Sequence, residues 1–136
     1  MNVFFDVDET ILAYDGSLRP LVRDVFRRLV EDGHRIYVWS GARTADNVRV
    51  GVVERYKLDP YVTECFHKPI VNPRQAWLTA GTGVLPEFCV DDRQETIDAF
   101  GGALISSYAF GGPDDGDLQR VYELIRRAAL SYSSRP

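Results

Sequence analysis

Short, almost wholly apolar runs alternate along the chain with segments whose apolar residues recur at helical spacing. The apolar runs cover residues 3–5, 36–39, 62–66, 88–90 and 103–105. Continuous apolar runs are typical of strands that are buried on both faces, as in parallel sheets. We therefore predict five parallel strands, of which the third has the weakest pattern.

Five helices with recognisable ends follow these runs. From the first to the fourth, the predicted boundaries are Pro20 to Gly33, Thr44 to about Tyr56, Asn72-Pro73 to Gly81, and about Arg93 to Phe100. Asp114 or Asp115 can cap the last helix, in which apolar residues again recur at helical spacing. Strands and helices that alternate through right-handed crossovers predict a single three-layer α/β/α domain over residues 1–136.

Composition supports a folded domain and narrows its setting. The 136 residues are 45% hydrophobic and 12% aromatic, which is enough to bury a core. The chain has no apolar run of about 18 residues and starts with an acidic segment, so we expect no membrane partner and a cytoplasmic protein. Cys65 and Cys89 lie in apolar stretches and fit reduced core residues. A net charge of −4 gives no overall basic field for nucleic acid.

Polar side chains follow the first four predicted strands, at the edge where an open parallel sheet binds ligands. They are Asp6 and Asp8, Ser40-Gly41, Lys68, and Asp91-Asp92. Two like charges about 4 Å apart in a partly buried site repel by roughly 4 kcal/mol. A hard divalent cation would relieve this repulsion, and oxygen ligands of this kind suit Mg²⁺. We therefore predict a Mg²⁺ site at this edge.

Each of these residues also has an ordinary structural explanation. Any one aspartate could belong to a solvated loop, and Asp92 is well placed to cap the helix that follows. The convergence of the whole set is harder to explain in that way. Lys57 and Lys68 are the only lysines beside fourteen arginines, and a lysine supplies a point charge that can hold a phosphoryl oxygen.

These segments resemble the four motifs of the haloacid dehalogenase superfamily of aspartate-nucleophile phosphatases. The first motif matches Phe5-Asp6-Val7-Asp8-Glu9-Thr10, and the second matches Val38-Trp39-Ser40-Gly41. The third is matched by Lys68, and the fourth by Val90-Asp91-Asp92 with Glu95 as a further acid. One departure is Glu9, which stands where glycine is frequent in the superfamily. The resemblance implies a Rossmann-like fold with strand order 5-4-1-2-3.

The resemblance also implies covalent phosphoryl transfer by a phosphatase. Asp6 would attack phosphorus to form an aspartyl-phosphate, and Asp8 would act as general acid and then as general base. The metal ligands would be Asp6, the main-chain carbonyl of Asp8, and Asp91. Ser40 and the adjacent backbone at Gly41 would hold phosphoryl oxygens. Lys68 would neutralise charge around the transferred group.

Three further residues are candidates for accessory roles: Asp92, Glu95 and Arg43. The segments after the first motif and between the second and third are too short for a cap domain, so we expect an open site. An open site suggests a large or carrier-bound phosphorylated substrate, and a second copy of the chain could cover it in a homo-oligomer.

Two alternatives stay open. The sequence Val90-Asp91-Asp92-Arg93 is similar to the phosphatase half of polynucleotide kinase-phosphatases, in which case Arg43 and Arg93 would contact nucleic-acid phosphates. The other alternative is a phosphate-binding or regulatory module without catalysis on the same fold. A silenced relative would be expected to lack Asp6, Asp8 or Lys68, and all three are present.

Overall fold

The computed structural model describes residues 1–133 and contains one five-stranded parallel sheet with the order β3-β2-β1-β4-β5. The strands are β1 (Asn2–Asp6), β2 (Arg35–Ser40), β3 (Val62–His67), β4 (Phe88–Asp91) and β5 (Gly102–Leu104). Each strand lies on one of the five apolar runs. The predicted α/β class, the parallel sheet and the strand order are confirmed.

Helices connect the strands and pack on both faces of the sheet. They are α1 (Val22–Glu31), α2 (Ala45–Val48), α3 (Pro73–Ala80), α4 (Gln94–Phe100) and α5 (Asp117–Ser133). A π-helical segment, Arg49–Glu54, continues α2 without a break. In the described part of the chain, no helix combines the length and the apolar character needed to cross a membrane.

The alternation of side chains along β1 divides the core into two parts. Phe5 points to the larger part, which includes the buried faces of α1 and α5. Phe4 points to the opposite part, where Trp39 and Trp77 pack edge-on against its ring at 4.6 and 5.5 Å between ring centroids. Because both faces of β1 are buried, the pattern of its residues is continuous rather than alternating.

The third strand has a weak apolar pattern because it forms an edge of the sheet. Within residues 1–133, β3 pairs only with β2, and Thr63, Glu64 and His67 are exposed. Cys65 is half-buried there, so it is not the core residue that we expected, whereas Cys89 on β4 is buried. Both thiols are free, and burial raises the pKa of Cys65 to about 11.

Two helix starts differ from the prediction. The first helix begins at Val22 rather than at Pro20, because Leu21 adopts a left-handed backbone conformation (φ 74°) that a helix cannot include. Asp92 does not cap α4. The residue at the cap position is Arg93, and its backbone N–H donates to Oδ1 of Asp91 at 2.9 Å.

The last helix and the second helix begin as the sequence indicates. The Thr44 hydroxyl accepts the backbone N–H of Asn47 at 3.2 Å, which is a standard N-cap for α2. Oδ1 of Asp115 accepts the N–H of Asp117 at 3.3 Å at the start of α5. The same carboxylate also binds the buried guanidinium of Arg19 at 2.8 Å.

Candidate functional site

A cavity of about 530 Å³ opens at the carboxyl edge of the sheet. It lies where β1, β2 and β4 end, because Asp6 pairs with Trp39 on one side and Phe5 with Val90 on the other. Seven of the residues that we predicted for the site line this cavity: Asp6, Asp8, Ser40, Gly41, Lys68, Asp92 and Glu95. The strands therefore bring residues from distant parts of the sequence to one place.

Lys68 forms the electrostatic centre of the site. Its ammonium group donates to Oδ1 of Asp6 at 2.9 Å and to Oδ2 of Asp91 at 2.8 Å. All three side chains are buried or nearly so. The backbone N–H of Lys68 donates to the carbonyl of Ser40 at 2.9 Å, which fixes the start of its loop against the end of β2.

Three carboxylates crowd around this single cation. Oxygens of Asp6, Asp91 and Asp92 all lie within 4.8 Å of one another. Burial raises the pKa of Asp6 to about 7, since Lys68 serves two carboxylates and offsets only part of the cost. Burial and the neighbouring Asp91 also raise the pKa of Asp92. The cluster thus holds more negative charge than Lys68 balances.

A divalent cation fits this excess of charge. The donors are carboxylate oxygens, which are the ligands that Mg²⁺ prefers, and they come from two neighbouring strand ends. The cluster includes Asp92, which the sequence suggested as an accessory residue. The carboxylate of Glu95 lines the cavity but is not a member of this group of three.

Asp8 has a different environment from Asp6. The side chain of Asp6 is 8% exposed, whereas that of Asp8 is 50% exposed and stands at the open side of the cavity. Nη2 of Arg43 lies 3.1 Å from Oδ1 of Asp8. The two carboxylates line the same cavity, as their one-residue spacing predicts, but only Asp6 belongs to the buried cluster.

A tight turn after β1 sets the position of Asp8. The carbonyl of Val7 accepts the N–H groups of Thr10, Ile11 and Leu12 at 3.0–3.2 Å. Within this turn Glu9 has a left-handed conformation (φ 63°), which explains why glycine would also suit the position. Two contacts hold Glu9 there: its carbonyl accepts the N–H of Tyr108 at 2.7 Å, and its carboxylate accepts the Ser107 hydroxyl at 2.7 Å.

Ser40 and Gly41 form the other wall near the cluster. Oγ of Ser40 is buried and accepts the backbone N–H of Ala42 at 3.1 Å. A hydroxyl that accepts one hydrogen bond can still donate its own proton to a further oxygen. Because Gly41 has no side chain, Ile70 packs closely against its backbone: a Cβ placed on Gly41 would lie 2.9 Å from Cδ1 of Ile70 and 3.7 Å from Cε of Lys68.

Arg19 supports the site from behind. Its side chain is fully buried, forms an ion pair with Asp115, and donates to the carbonyls of Thr10 at 3.2 Å and Ser106 at 2.8 Å. It therefore ties the turn after β1 to the loop after β5. No local pattern in the sequence predicts this role, because a lone arginine in a loop is usually exposed.

Comparisons with known proteins add no identification. The chain matches no protein-family model, and no curated protein shows significant similarity to it.

The apolar side of the cavity was not predicted from the sequence. Pro69, Ile70 and Pro73 line it, and Ile70 is 65% exposed to solvent. Pro69 and Ile70 lie on the loop between β3 and α3, outside the apolar runs, and Pro73 is the first residue of α3. The two prolines bracket this loop, and that spacing was the one signal in the sequence that could have drawn attention to it.

Proposed function

We propose that this chain is a Mg²⁺-dependent phosphatase of the haloacid dehalogenase type, without a cap domain, which hydrolyses a phosphomonoester through an aspartyl-phosphate on Asp6. One observation carries the proposal. The buried Asp6 and the exposed Asp8 line one cavity, and only Asp6 belongs to the cluster that Lys68 neutralises in part. Covalent phosphoryl transfer needs two carboxylates with this difference in environment.

In the proposed reaction, Asp6 is the nucleophile. Its carboxylate oxygen forms a bond to phosphorus while the bond from phosphorus to the ester oxygen breaks. Asp8 gives a proton to the leaving oxygen, which departs as an alcohol. Asp8 then takes a proton from a water molecule as that water attacks phosphorus, and the products are inorganic phosphate and free Asp6.

Other residues hold the phosphoryl group. The hydroxyl of Ser40 and the backbone at Gly41 would donate to phosphoryl oxygens on one side, and Lys68 would face them from the other. Asp6, Asp91 and the main-chain carbonyl of Asp8 would hold Mg²⁺, with Asp92 as a further ligand. Bound Mg²⁺ would supply Lewis-acid neutralisation of phosphoryl charge.

A phosphate-release screen tests this function. Purified protein is incubated with Mg²⁺ and sugar phosphates, nucleotides, 3′-phosphorylated oligonucleotides and phosphopeptides. We expect release that EDTA abolishes and Mg²⁺ restores, and that Asp6→Asn reduces to background without loss of the fold. An Asp98→Asn variant, which alters an exposed aspartate outside the cavity, is the matched control.

The same screen separates the alternatives. The exposed Arg93 lines the mouth of the cavity, which favours a nucleic-acid end as the second candidate substrate. Release from the oligonucleotides alone would support that 3′-phosphatase activity. Absence of phosphate release from all of these substrates would contradict the phosphatase and favour a phosphate-binding module. Release that does not depend on the metal would contradict the role of Mg²⁺.

A further inference from the structure

One wall of the cavity is apolar, and Ile70 is its most prominent side chain. Ile70 lines the cavity together with Pro69 and Pro73, yet 65% of it is exposed. An exposed apolar side chain at the mouth of a polar cavity gains no stability for the fold from that exposure. With Pro69 and Pro73 it forms an apolar wall of the cavity, and a ligand with an apolar face would gain free energy by covering that wall.

The position of Ile70 relative to Gly41 and Lys68, the proposed phosphate-binding residues, is well defined. Its Cδ1 and Cγ1 atoms approach the Gly41 backbone so closely that a Cβ there would lie 2.9 and 3.0 Å from them. Cε of Lys68 lies on the same side of Gly41, 3.7 Å from that point. A phosphoryl group held between Gly41 and Lys68 would therefore have the tip of Ile70 as a direct neighbour.

The loop that carries Ile70 is held at both ends. The N–H of Lys68 donates to the carbonyl of Ser40 at 2.9 Å at its start, and Pro73 begins α3 at its end. Pro69 fixes a backbone angle between them. A wall that is already ordered loses little entropy when a ligand packs against it.

The rest of the mouth is mostly charged, since Asp8, Glu9, Arg93 and Glu95 line it. Ala42 also lines the cavity but has only a methyl group. Among the described residues, the side with Ile70 therefore offers the largest apolar surface to a leaving group. A leaving group that is polar all round would leave Ile70 in water. One with an apolar or aromatic face would bury it.

We propose that Ile70 is a specificity-determining residue, and that the substrate is a phosphomonoester of an alcohol with an apolar or aromatic face next to the ester oxygen. This inference rests on the proposed phosphatase function and narrows its substrate class. Ile70 contacts the leaving group, whereas Asp6 and Asp8 carry out the reaction.

The test compares phosphate esters of two primary alcohols, 2-phenylethyl phosphate and glycerol 3-phosphate, each with Mg²⁺. The measured quantity is kcat/KM for 2-phenylethyl phosphate divided by kcat/KM for glycerol 3-phosphate. We expect a ratio above one for the wild type, and Ile70→Asn should lower it about tenfold through loss of apolar contact. The conservative Ile70→Leu variant should largely restore it.

Val71→Asn is the matched control. Val71 is the next residue of the same loop and is 78% exposed, but it does not line the cavity, so the ratio should not change. A wild-type ratio of one or less, an unchanged ratio in Ile70→Asn, or an equal fall in both asparagine variants would overturn the inference and leave the phosphatase intact. Absence of phosphate release from both esters, in protein that releases phosphate from a substrate of the screen above, would overturn the inference and leave the phosphatase intact. Absence of release from every substrate of that screen would contradict both.

Discussion

The guanidinium of Arg43 lies 3.1 Å from the carboxylate of Asp8, at the open side of the cavity. Both side chains are partly exposed, so an ion pair of this kind adds only about 0–1 kcal/mol to stability. Its effect is on orientation: it holds the carboxylate of Asp8 in one position at the mouth of the site. Arg43 is in that sense a positioning residue for the proposed general acid.

Loss of Arg43 should therefore impair proton transfer more than phosphate binding. We expect Arg43→Gln to lower kcat/KM for an alkyl phosphate, which reports transfer of the phosphoryl group to Asp6, by about tenfold, a small part of the roughly 10²–10⁴-fold that general acid catalysis contributes. The loss should be smaller for p-nitrophenyl phosphate, because p-nitrophenolate leaves without a proton. Steady-state kinetics on both esters measure the difference.

Arg49→Gln is the control for this variant, since Arg49 is exposed and pairs with Asp46 and Glu54 outside the cavity. Arg49→Gln should leave kcat/KM for both esters unchanged. An equal loss on both esters in Arg43→Gln would show that Arg43 binds the phosphate rather than positions Asp8.

Removal of the Lys68 charge should destabilise the fold. Asp6 and Asp91 share this buried ammonium, and loss of one partner from a buried ion pair costs about 3–5 kcal/mol. We expect Lys68→Met to lower the free energy of unfolding by an amount of that order, measured by urea denaturation in EDTA at pH 7. Lys57→Met, at the other and exposed lysine, should have almost no effect. Comparable losses in the two variants would contradict the central role of Lys68.

The raised pKa of Asp6 gives the metal-free protein a specific pH dependence. The folded-state pKa is about 7 against an ordinary value of 3.8, so the folded protein holds this proton more tightly than the unfolded chain does. The stability from Asp6 is therefore complete below pH 3.8 and is lost as the pH rises through about 7.

Asp6→Asn removes this dependence. In EDTA, the variant should gain stability relative to the wild type as the pH rises from 4 to 8, by on the order of 4 kcal/mol. Thermal or urea unfolding at several pH values measures the trend. Added Mg²⁺ should raise the melting temperature of the wild type at pH 8 and have little effect on Asp6→Asn. A stability difference that stays constant with pH would contradict the raised pKa.

Asp92 and Glu95 should differ in their effect on Mg²⁺ binding. Asp92 belongs to the group of three carboxylates, whereas Glu95 is exposed and does not. We expect Asp92→Asn to weaken Mg²⁺ binding about tenfold or more and Glu95→Gln to leave it close to the wild type, as measured by calorimetry. A larger loss of Mg²⁺ affinity in Glu95→Gln than in Asp92→Asn would indicate that the metal binds nearer the mouth of the cavity.

The fold was predictable because the central strands β1, β2 and β4 contain continuous apolar runs. Burial on both faces of a parallel sheet leaves this strong local pattern, and every residue between the first and last of β1 and β2 shows it. The π-helical segment was not predictable, because Arg49–Glu54 keeps the apolar positions Val52 and Val53 inward in either kind of helix.

The site was predictable in its residue types but not in its contacts. Asp6, Asp8 and Lys68 follow strand ends, which suggests that they meet, but the sharing of Lys68 between Asp6 and Asp91 depends on how β1 and β4 pair. Asp92 is the clearest case of a contact that could not be predicted from the sequence. An aspartate before a helix usually caps it, and only the neighbouring strand reveals its place beside Asp6.

The covalent step at Asp6 is the central claim, and trapping of the intermediate tests it most directly. In Asp8→Asn, p-nitrophenyl phosphate should still transfer its phosphoryl group, because its leaving group needs no proton, while hydrolysis of the intermediate should be slow. Acid quench of this reaction with Mg²⁺, borohydride reduction and peptide mass spectrometry should find homoserine in place of Asp6 in proportion to the p-nitrophenolate released. Release of p-nitrophenolate with residue 6 unmodified would contradict the account.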